Sequence, residues 1–388
     1  MVTELKKGIY WVGGIDWDLR DFHGYLTQRG STYNAYLIVD EKIVLVDTVK
    51  HYLYDEMLSN IRKIIDPEKI DYIVSNHVEM DHSGSLPMIK NIAKKAAIIT
   101  SPNGEKGLKA HYKEDWDFKV VKTGDSISIG SRNLDFVLCP MVHWPDSMVT
   151  YIPEEKLLLP NDAFGQHIAS SQRFDDQLGF DVLMEEAAKY YANIVLPFGE
   201  QVLKALEILN TLDIDMIAPS HGIIWRKNVP KIVEKYKKWA SNETEKKAVI
   251  VYDSMWGSTK KMAYSAKDVL EENSISYRMM DLKHCHISDI ITEILSAKYI
   301  FVGSPTLNNG VLPTVGAFLV YLQGLAPKNR TAIAFGSYGW GGQSVGIIED
   351  VFEKIGFNIP IKGLKYKYIP FEKELGDFKD KISNCLTS

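Results

Sequence analysis

The sequence predicts an α/β chain in two domains, a helix-covered sandwich of sheets over 1–246 and a doubly wound parallel sheet over 247–388. Three observations predict it. Short apolar runs separated by helical stretches crowd the first part, which suits two sheets under helices. The polar segment Ser241-Asn242-Glu243-Thr244-Glu245-Lys246-Lys247 then separates a helical pattern from a new apolar strand. After it, strands and helices alternate over about 140 residues, the signature of a parallel sheet with helices on both faces.

The elements follow in order. Strands are predicted at 9–12, 33–39 and 43–46, a helix near 53–64 and a strand at 70–75. Further strands fall at 97–100, 118–122, 134–138, 148–152, 156–159 and 215–218, with helices over 181–193 and 201–210. Past the seam, strands at 248–253, 276–281, 299–303 and 331–336 alternate with helices near 259–271, 287–296, 313–322 and 343–355. Met262, Ala266, Val269 and Leu270 recur at helical spacing. Pro313 suits a first helical position and Gly356 a helix stop.

Composition excludes several classes. Of 388 residues, 45% are hydrophobic and 24% charged, so the chain can bury a core and is not predominantly disordered. The net charge of −5 argues against attachment to nucleic acid by bulk charge. No apolar run is long enough to span a membrane, and the N-terminal residues lack the apolar core of a signal peptide. Cys139, Cys285 and Cys385 are not spaced as C-x-x-C, which removes a disulfide framework, a four-cysteine zinc or rubredoxin site and a cysteine-ligated cluster. A reducing cytoplasm fits this usage.

The sharpest signal is His77-Val78-Glu79-Met80-Asp81-His82, placed directly after an apolar strand. An H-x-[DE]-x-[DE]-H match is expected by chance roughly 0.004 times in a chain of this composition. His143, Asp162 and His221 each follow a strand as well. A lone histidine there is ordinarily a loop residue. Strand ends on one sheet edge converge, however, so these three can meet the six-residue cluster. Four imidazoles and three carboxylates are too many ligands for one tetrahedral zinc, and two metals bridged by Asp162 use them naturally. The arrangement resembles the metallo-β-lactamase fold, whose hydrolases commonly carry H-x-H-x-D-H. Here Glu79 takes the second histidine's place. Three anionic ligands and no thiolate favour iron or manganese over zinc.

Three loops in the second part form another constellation. Ser254-Met255-Trp256-Gly257-Ser258-Thr259 follows the first strand and opens a helix, whose N-terminal amides and dipole favour a phosphate. It lacks the P-loop lysine, so a nucleoside triphosphate does not fit. Pro305, Thr306, Leu307, Asn308 and Gly310 lie in the loop after 299–303. Ser337, Tyr338, Gly339, Trp340 and Gly341 lie in the loop after 331–336. Ligands of open α/β sheets bind at such strand ends, where small residues admit a polar ring edge and an aromatic stacks on its face. Together these loops resemble flavodoxin and point to FMN.

Both constellations in one chain make the sequence resemble the flavodiiron proteins (A-type flavoproteins), a metallo-β-lactamase-like αββα domain followed by a flavodoxin-like domain. The resemblance covers essentially the whole chain. It implies two Fe, with His77, Glu79 and His143 on one, Asp81, His82 and His221 on the other, and Asp162 bridging. It places His23 and Tyr191 beside a bound gas. Phe164-Gly165-Gln166-His167 also looks family-like. The implied activity is reduction of O2 to water, of NO to N2O, or both. Two ferrous ions and a reduced flavin hold the four electrons that O2 requires. A head-to-tail homodimer, or a tetramer of such dimers, brings each FMN to the partner's metals. The electron donor is then external, rubredoxin or a rubredoxin-linked flavin reductase. Three other readings compete: an oxidase of the same fold that takes electrons from a reduced deazaflavin coenzyme, a binuclear zinc hydrolase with a fused flavin domain, and a non-enzymatic electron shuttle with a vestigial metal site, against which the intact ligand set argues.

Overall fold

In strand Tyr36–Val39 the side chains of Tyr36 and Ile38 enter one hydrophobic cluster and Leu37 enters another. In the paired strand Ile43–Val46, Val44 and Val46 join the first cluster and Leu45 the second. The period of two sends alternate residues to opposite faces. Both faces are buried, so these strands read as unbroken apolar runs. The structure is a computed structural model and describes residues 2–386. They form two units: 2–23, 27–191 and 198–237 in the first, and 24–26, 192–197 and 238–386 in the second.

The first unit holds two sheets. One runs Thr3–Lys6, Ile9–Trp11, Tyr36–Val39, Ile43–Val46, Tyr72–Val74, Ala97–Thr100, Phe118–Val120, antiparallel over the first four strands and parallel beyond. The other runs Ser126–Ser128, Asn133–Leu138, Met148–Ile152, Leu157–Leu159, Met216–Ile217. Its last pair is parallel and the rest antiparallel. Tyr36, Ile38, Val44 and Val46 meet Leu134, Phe136, Leu157 and Leu159 between the sheets. On the far face of the first sheet, Leu37, Leu45 and Ile73 pack on Met57 and Ile61 of helix Tyr54–Arg62, Ile89 of Leu86–Ile92 and Leu108 of Pro102–Tyr112. On the far face of the second, Val149 lines a cavity with Val202 and Leu206 of helix Gly199–Leu209. The layers are therefore helix, sheet, sheet, helix.

The second unit is one parallel sheet in the order Ser276–Asp281, Glu245–Tyr252, Ala297–Gly303, Thr331–Tyr338, Leu364–Lys367. The second strand in sequence thus sits outside the first, which is the flavodoxin-like order and leaves a crevice at the reversal point.

Several elements lie beyond the sequence reading. Helix Pro102–Tyr112, the edge strand Leu364–Lys367 and the terminal helix Glu372–Leu386 were not predicted, and each buries only a few side chains. The predicted strand 33–39 is two strands, Ser31–Tyr33 and Tyr36–Val39. Asn34 interrupts them because its side chain accepts from Trp11 Nε1 (2.7 Å) and donates to Pro219 O (2.7 Å) and Gly222 O (3.1 Å). It thereby clamps the loop that carries His221. Helix Phe180–Tyr190 stops where a π-turn, Tyr191–Val195, begins. In the polar segment 241–247, Glu245–Lys247 already belong to strand Glu245–Tyr252. Pairing with Ala297 and Ser276 outweighs their polar composition.

Candidate metal centre and anion-binding cleft

Four strands deliver the candidate ligands. His77 follows Tyr72–Val74, His143 follows Asn133–Leu138, Asp162 follows Leu157–Leu159 and His221 follows Met216–Ile217. The last three strands point the same way within their sheet, so their loops emerge on one edge. Asp81 and His82 sit on the short helix Met80–Ser83.

The seven side chains form two adjoining groups, His77, Glu79, His143 and Asp162 in one, and Asp81, His82 and His221 in the other. In the first, Glu79 Oε2 lies 3.4 Å from both His77 Nε2 and His143 Nε2. In the second, Asp81 presents one oxygen to His82 Nε2 (3.4 Å) and the other to His221 Nε2 (3.2 Å). Asp162 belongs to both. Its Oδ2 lies 3.4 Å from His143 Nε2, and its Oδ1 lies 3.0 Å from His82 Nε2 and 3.3 Å from His221 Nε2.

Further contacts aim these groups inward. The Nδ1–H of His77 donates to Asp146 Oδ2 (2.9 Å), which also accepts from Val78 N–H (2.8 Å). The Nδ1–H of His221 donates to the carbonyl of Thr32 (2.9 Å). Each bond turns the Nε2 lone pair into the cluster, as outer partners of metal-binding histidines do. Asp47 gathers Asn76 N–H (2.8 Å), Asn76 Nδ2 (3.0 Å) and Asn161 Nδ2 (3.1 Å), holding the residues that precede His77 and Asp162.

The donor set passes a physical test for cations. His77 Nε2, both oxygens of Asp81 and Asp162 Oδ2 are buried without a hydrogen-bond partner among the described residues. Buried carboxylates and imidazoles in that state are costly unless a cation joins them. Ligands about 2.1 Å from one metal stand roughly 3.0–3.4 Å apart, which is the spacing found here. Without a metal, protons must serve as the counter-charge. Burial alone would lower His143 and His221, but Asp162 with Glu79 or Asp81 outweighs it, raising them to about 9 and about 10. Burial by itself would raise the Asp162 carboxyl, yet the facing histidines, His82 foremost, hold it well below its usual range.

The two further residues chosen from sequence land differently. His23 is mostly exposed and its Nε2 lies 3.1 Å from Glu79 Oε1. Tyr191 stacks edge-on against Tyr236 at 5.1 Å. Its neighbour Tyr190 is the one whose hydroxyl donates to Asp162 Oδ1 (2.9 Å). A helical register one residue off decides between them, and nothing in the local sequence separates the two. His167 is buried beside His221, 4.9 Å ring to ring, and burial pushes its pKa well down, so it stays neutral. Asp146 and Tyr190 are the contacts that sequence reasoning missed.

In the second unit a cleft of about 770 Å³ opens at the strand ends. Met255, Trp256, Ser258, Pro305, Thr306, Leu307, Asn308, Ser337, Tyr338, Gly339 and Trp340 line it, all read from sequence. Asn309, within the loop read from sequence, lines it too, as do Tyr368 and Ile369, which were missed and follow the unpredicted strand Leu364–Lys367. Ser254, Gly257, Thr259, Gly310 and Gly341 are not among its lining. Ser254 Oγ accepts from Gly257 N–H (3.1 Å), and Thr259 Oγ1 bonds Ser337 Oγ (2.9 Å), so these shape the loops from behind. Gly257, at φ +88°, caps helix Ser258–Glu272 without a side-chain acceptor. In the first turn Lys260 N–H reaches Ser254 Oγ at 3.4 Å, and the amides of such a helix start favour an anion. The Trp256 and Trp340 side chains, 92% and 82% exposed, supply apolar walls.

Residues 32–222 match the family described as ODP family beta lactamase, and residues 250–378 match Flavodoxin. A nitric oxide reductase of Moorella thermoacetica is 50% identical over 89% of this chain and 88% of its own length. The rubredoxin-oxygen oxidoreductase of Megalodesulfovibrio gigas is 43% identical, over 97% and 95%. The crystal structure of a flavodiiron protein from Giardia intestinalis superposes with a TM-score of 0.97 at 33% identity, over 100% of this chain and 96% of that one. These likenesses span both units, and the chain belongs to the flavodiiron proteins, a family of oxidoreductases.

Proposed function

We propose that this oxidoreductase reduces O2 to water, NO to N2O, or both, at two irons, with FMN relaying electrons from an external donor. The observation that carries the reading is Asp162, whose two oxygens face separate groups of candidate ligands. His77, Glu79 and His143 would hold one iron, and Asp81, His82 and His221 the other, with Asp162 between them. Bound iron would supply a redox-active seat for a diatomic oxidant, and bound FMN the reducing equivalents.

The protein's own groups have definable tasks. Helix Ser258–Glu272 offers its amides to the phosphate of FMN, and Trp256 and Trp340 offer faces to the ring. Product formation consumes protons. Exposed His23, through Nε2 against Glu79, can bring them in from solvent, while Tyr190 steadies Asp162 through its hydroxyl. Tyr191 backs this edge through its ring contact with Tyr236.

We assign rubredoxin, alone or with a flavin reductase, as donor; the Megalodesulfovibrio relative's name supports this. We also assign a head-to-tail homodimer. The exposed apolar rim of the cleft supports it: Trp256, Trp340, Tyr368 and Ile369 form a patch that a second copy can cover. A cytoplasmic location accords with free thiols at all three cysteines. Among the described residues no helix is long and apolar enough to cross a membrane.

The test is stopped-flow of the anaerobically purified, pre-reduced protein against each gas, with iron, zinc, FMN, N2O and peroxide quantified. Two irons and one FMN per chain with rapid oxidation by either gas is the expected result. A zinc-loaded protein inert to both gases would overturn the reading. Mixing a His143→Ala chain with a flavin-free chain should restore turnover if electrons cross between subunits.

A further inference from the structure

A second, much smaller cavity lies in the first unit, between helix Gly199–Leu209 and the second sheet. Its volume is about 20 Å³. That is room for a single water or a molecule of similar size, since one probe sphere needs roughly 10–15 Å³.

Its chemistry disfavours water. Val142, Met148, Ala163, Phe164 and Leu206 are among its walls, all buried and apolar. The polar side chains are few. Tyr236 already accepts from Phe164 N–H through its hydroxyl (2.7 Å). Cys139 is a thiol that burial raises to about 12, so it remains uncharged at neutral pH. A buried water wants two to four polar partners, whereas an apolar diatomic wants none.

Its placement is specific. Val142 and Ala163 are the chain neighbours of His143 and Asp162. At the other side Ala205 is only partly buried, whereas the rest of the lining is buried. The lining therefore runs from one partly exposed residue to the chain neighbours of two candidate ligands.

We infer that this cavity is a dry holding site for one apolar diatomic molecule on its way to the metal centre. The inference rests on the gas chemistry proposed above and adds the route. A diatomic partitions into it without leaving a polar atom unsatisfied, and water and ions are refused there.

Krypton-pressurised crystals of the metal- and flavin-loaded protein test it, together with rapid-mixing kinetics. Krypton should occupy the wild-type cavity. Ala205→Phe should abolish the krypton peak and slow the second-order reaction with gas about tenfold, with saturated turnover and iron content unchanged. Ala205→Leu, a smaller plug, should do the same to a lesser degree, and Ala205→Ser should behave as wild type. Gas turnover with no krypton in the wild-type cavity would overturn this inference alone. So would an unchanged second-order constant in a folded, iron-loaded Ala205→Phe or Ala205→Leu protein. Krypton in the cavity of a protein that consumes neither gas would sink the functional reading, and the delivery role with it.

Discussion

The two units solve binding in opposite ways. In the first, side chains do the work. His77 and Asp81 carry buried polar atoms with no hydrogen-bond partner among the described residues, a state that cations would relieve. In the second, backbone does most of it. The cleft is open, its aromatic walls stand in solvent, and the proposed anion seat is a helix end capped by Gly257. A site built of side chains tolerates no change of residue type. A site built of backbone needs only that small residues stay small and the loops keep their course.

Mutations can break or sharpen that contrast. The largest effect should come from Asp162→Ala, which removes a ligand shared by both groups. Loss of an outer partner alone typically costs 10–100-fold, so metal affinity and turnover should fall by more than ~100-fold. Iron analysis of the purified variant measures it, and near-normal iron content would contradict a shared role.

Next comes Asp146→Asn, which keeps a bond to His77 Nδ1 possible but removes the charge behind it. About a tenfold loss of iron affinity is expected, from the lower end of the range for outer partners. Competition with a chelator reads this out. An unchanged affinity would mean that backbone packing alone orients His77.

Trp256→Ala should be milder. Aromatic stacking contributes about 0.5–1.5 kcal/mol beyond area, so FMN should bind up to about tenfold more weakly. Fluorescence titration of the flavin-free protein decides it. A complete loss of FMN would show that this cleft, too, hangs on one side chain.

The smallest effect concerns a carboxylate that protein groups alone satisfy. Asp40 accepts from Glu41 N–H (2.8 Å), Ser131 N–H (3.0 Å), Ser131 Oγ (2.7 Å) and Arg132 (2.9 Å). Burial opposes its charge more than any single donor favours it, but the donors together outweigh it and lower the pKa to about 2 from 3.8. A depressed carboxyl stabilises the fold above its unfolded pKa and loses that contribution as pH falls through the folded value. Asp40→Asn should therefore cost about 1 kcal/mol or less at pH 7, given solvent screening, with the difference gone near pH 2. Melts of both proteins across pH 2–7 check the sign. Chelation of iron should leave this difference untouched.

Much of the site was legible in the chain because it is local. His77 to His82 span six positions, and each distant ligand follows an apolar strand. The αββα layers were legible for the same reason, since strands buried on both faces write continuous apolar runs. The choice of Tyr191 shows the limit. Adjacent tyrosines at a helix end look alike in sequence, and the register into the π-turn at Tyr191–Val195 sends Tyr190, not Tyr191, to Asp162. Asp146 was missed because its partner lies 69 residues away. Tyr368 and Ile369 were missed because strand Leu364–Lys367 is an edge strand with a half-polar pattern.

By itself the sequence determined the kinds of ligand, the short spacing that clusters half of them, the glycine-capped helix start and the number of layers. All of these are properties of neighbouring residues and of hydrophobic period. Only the tertiary structure decided that Asp162 faces both groups, that Asp146 stands behind His77 and that a small, mostly apolar cavity is lined by the chain neighbours of two candidate ligands. Those facts depend on which strand ends share an edge, and sheet order is settled by packing among segments far apart in the chain.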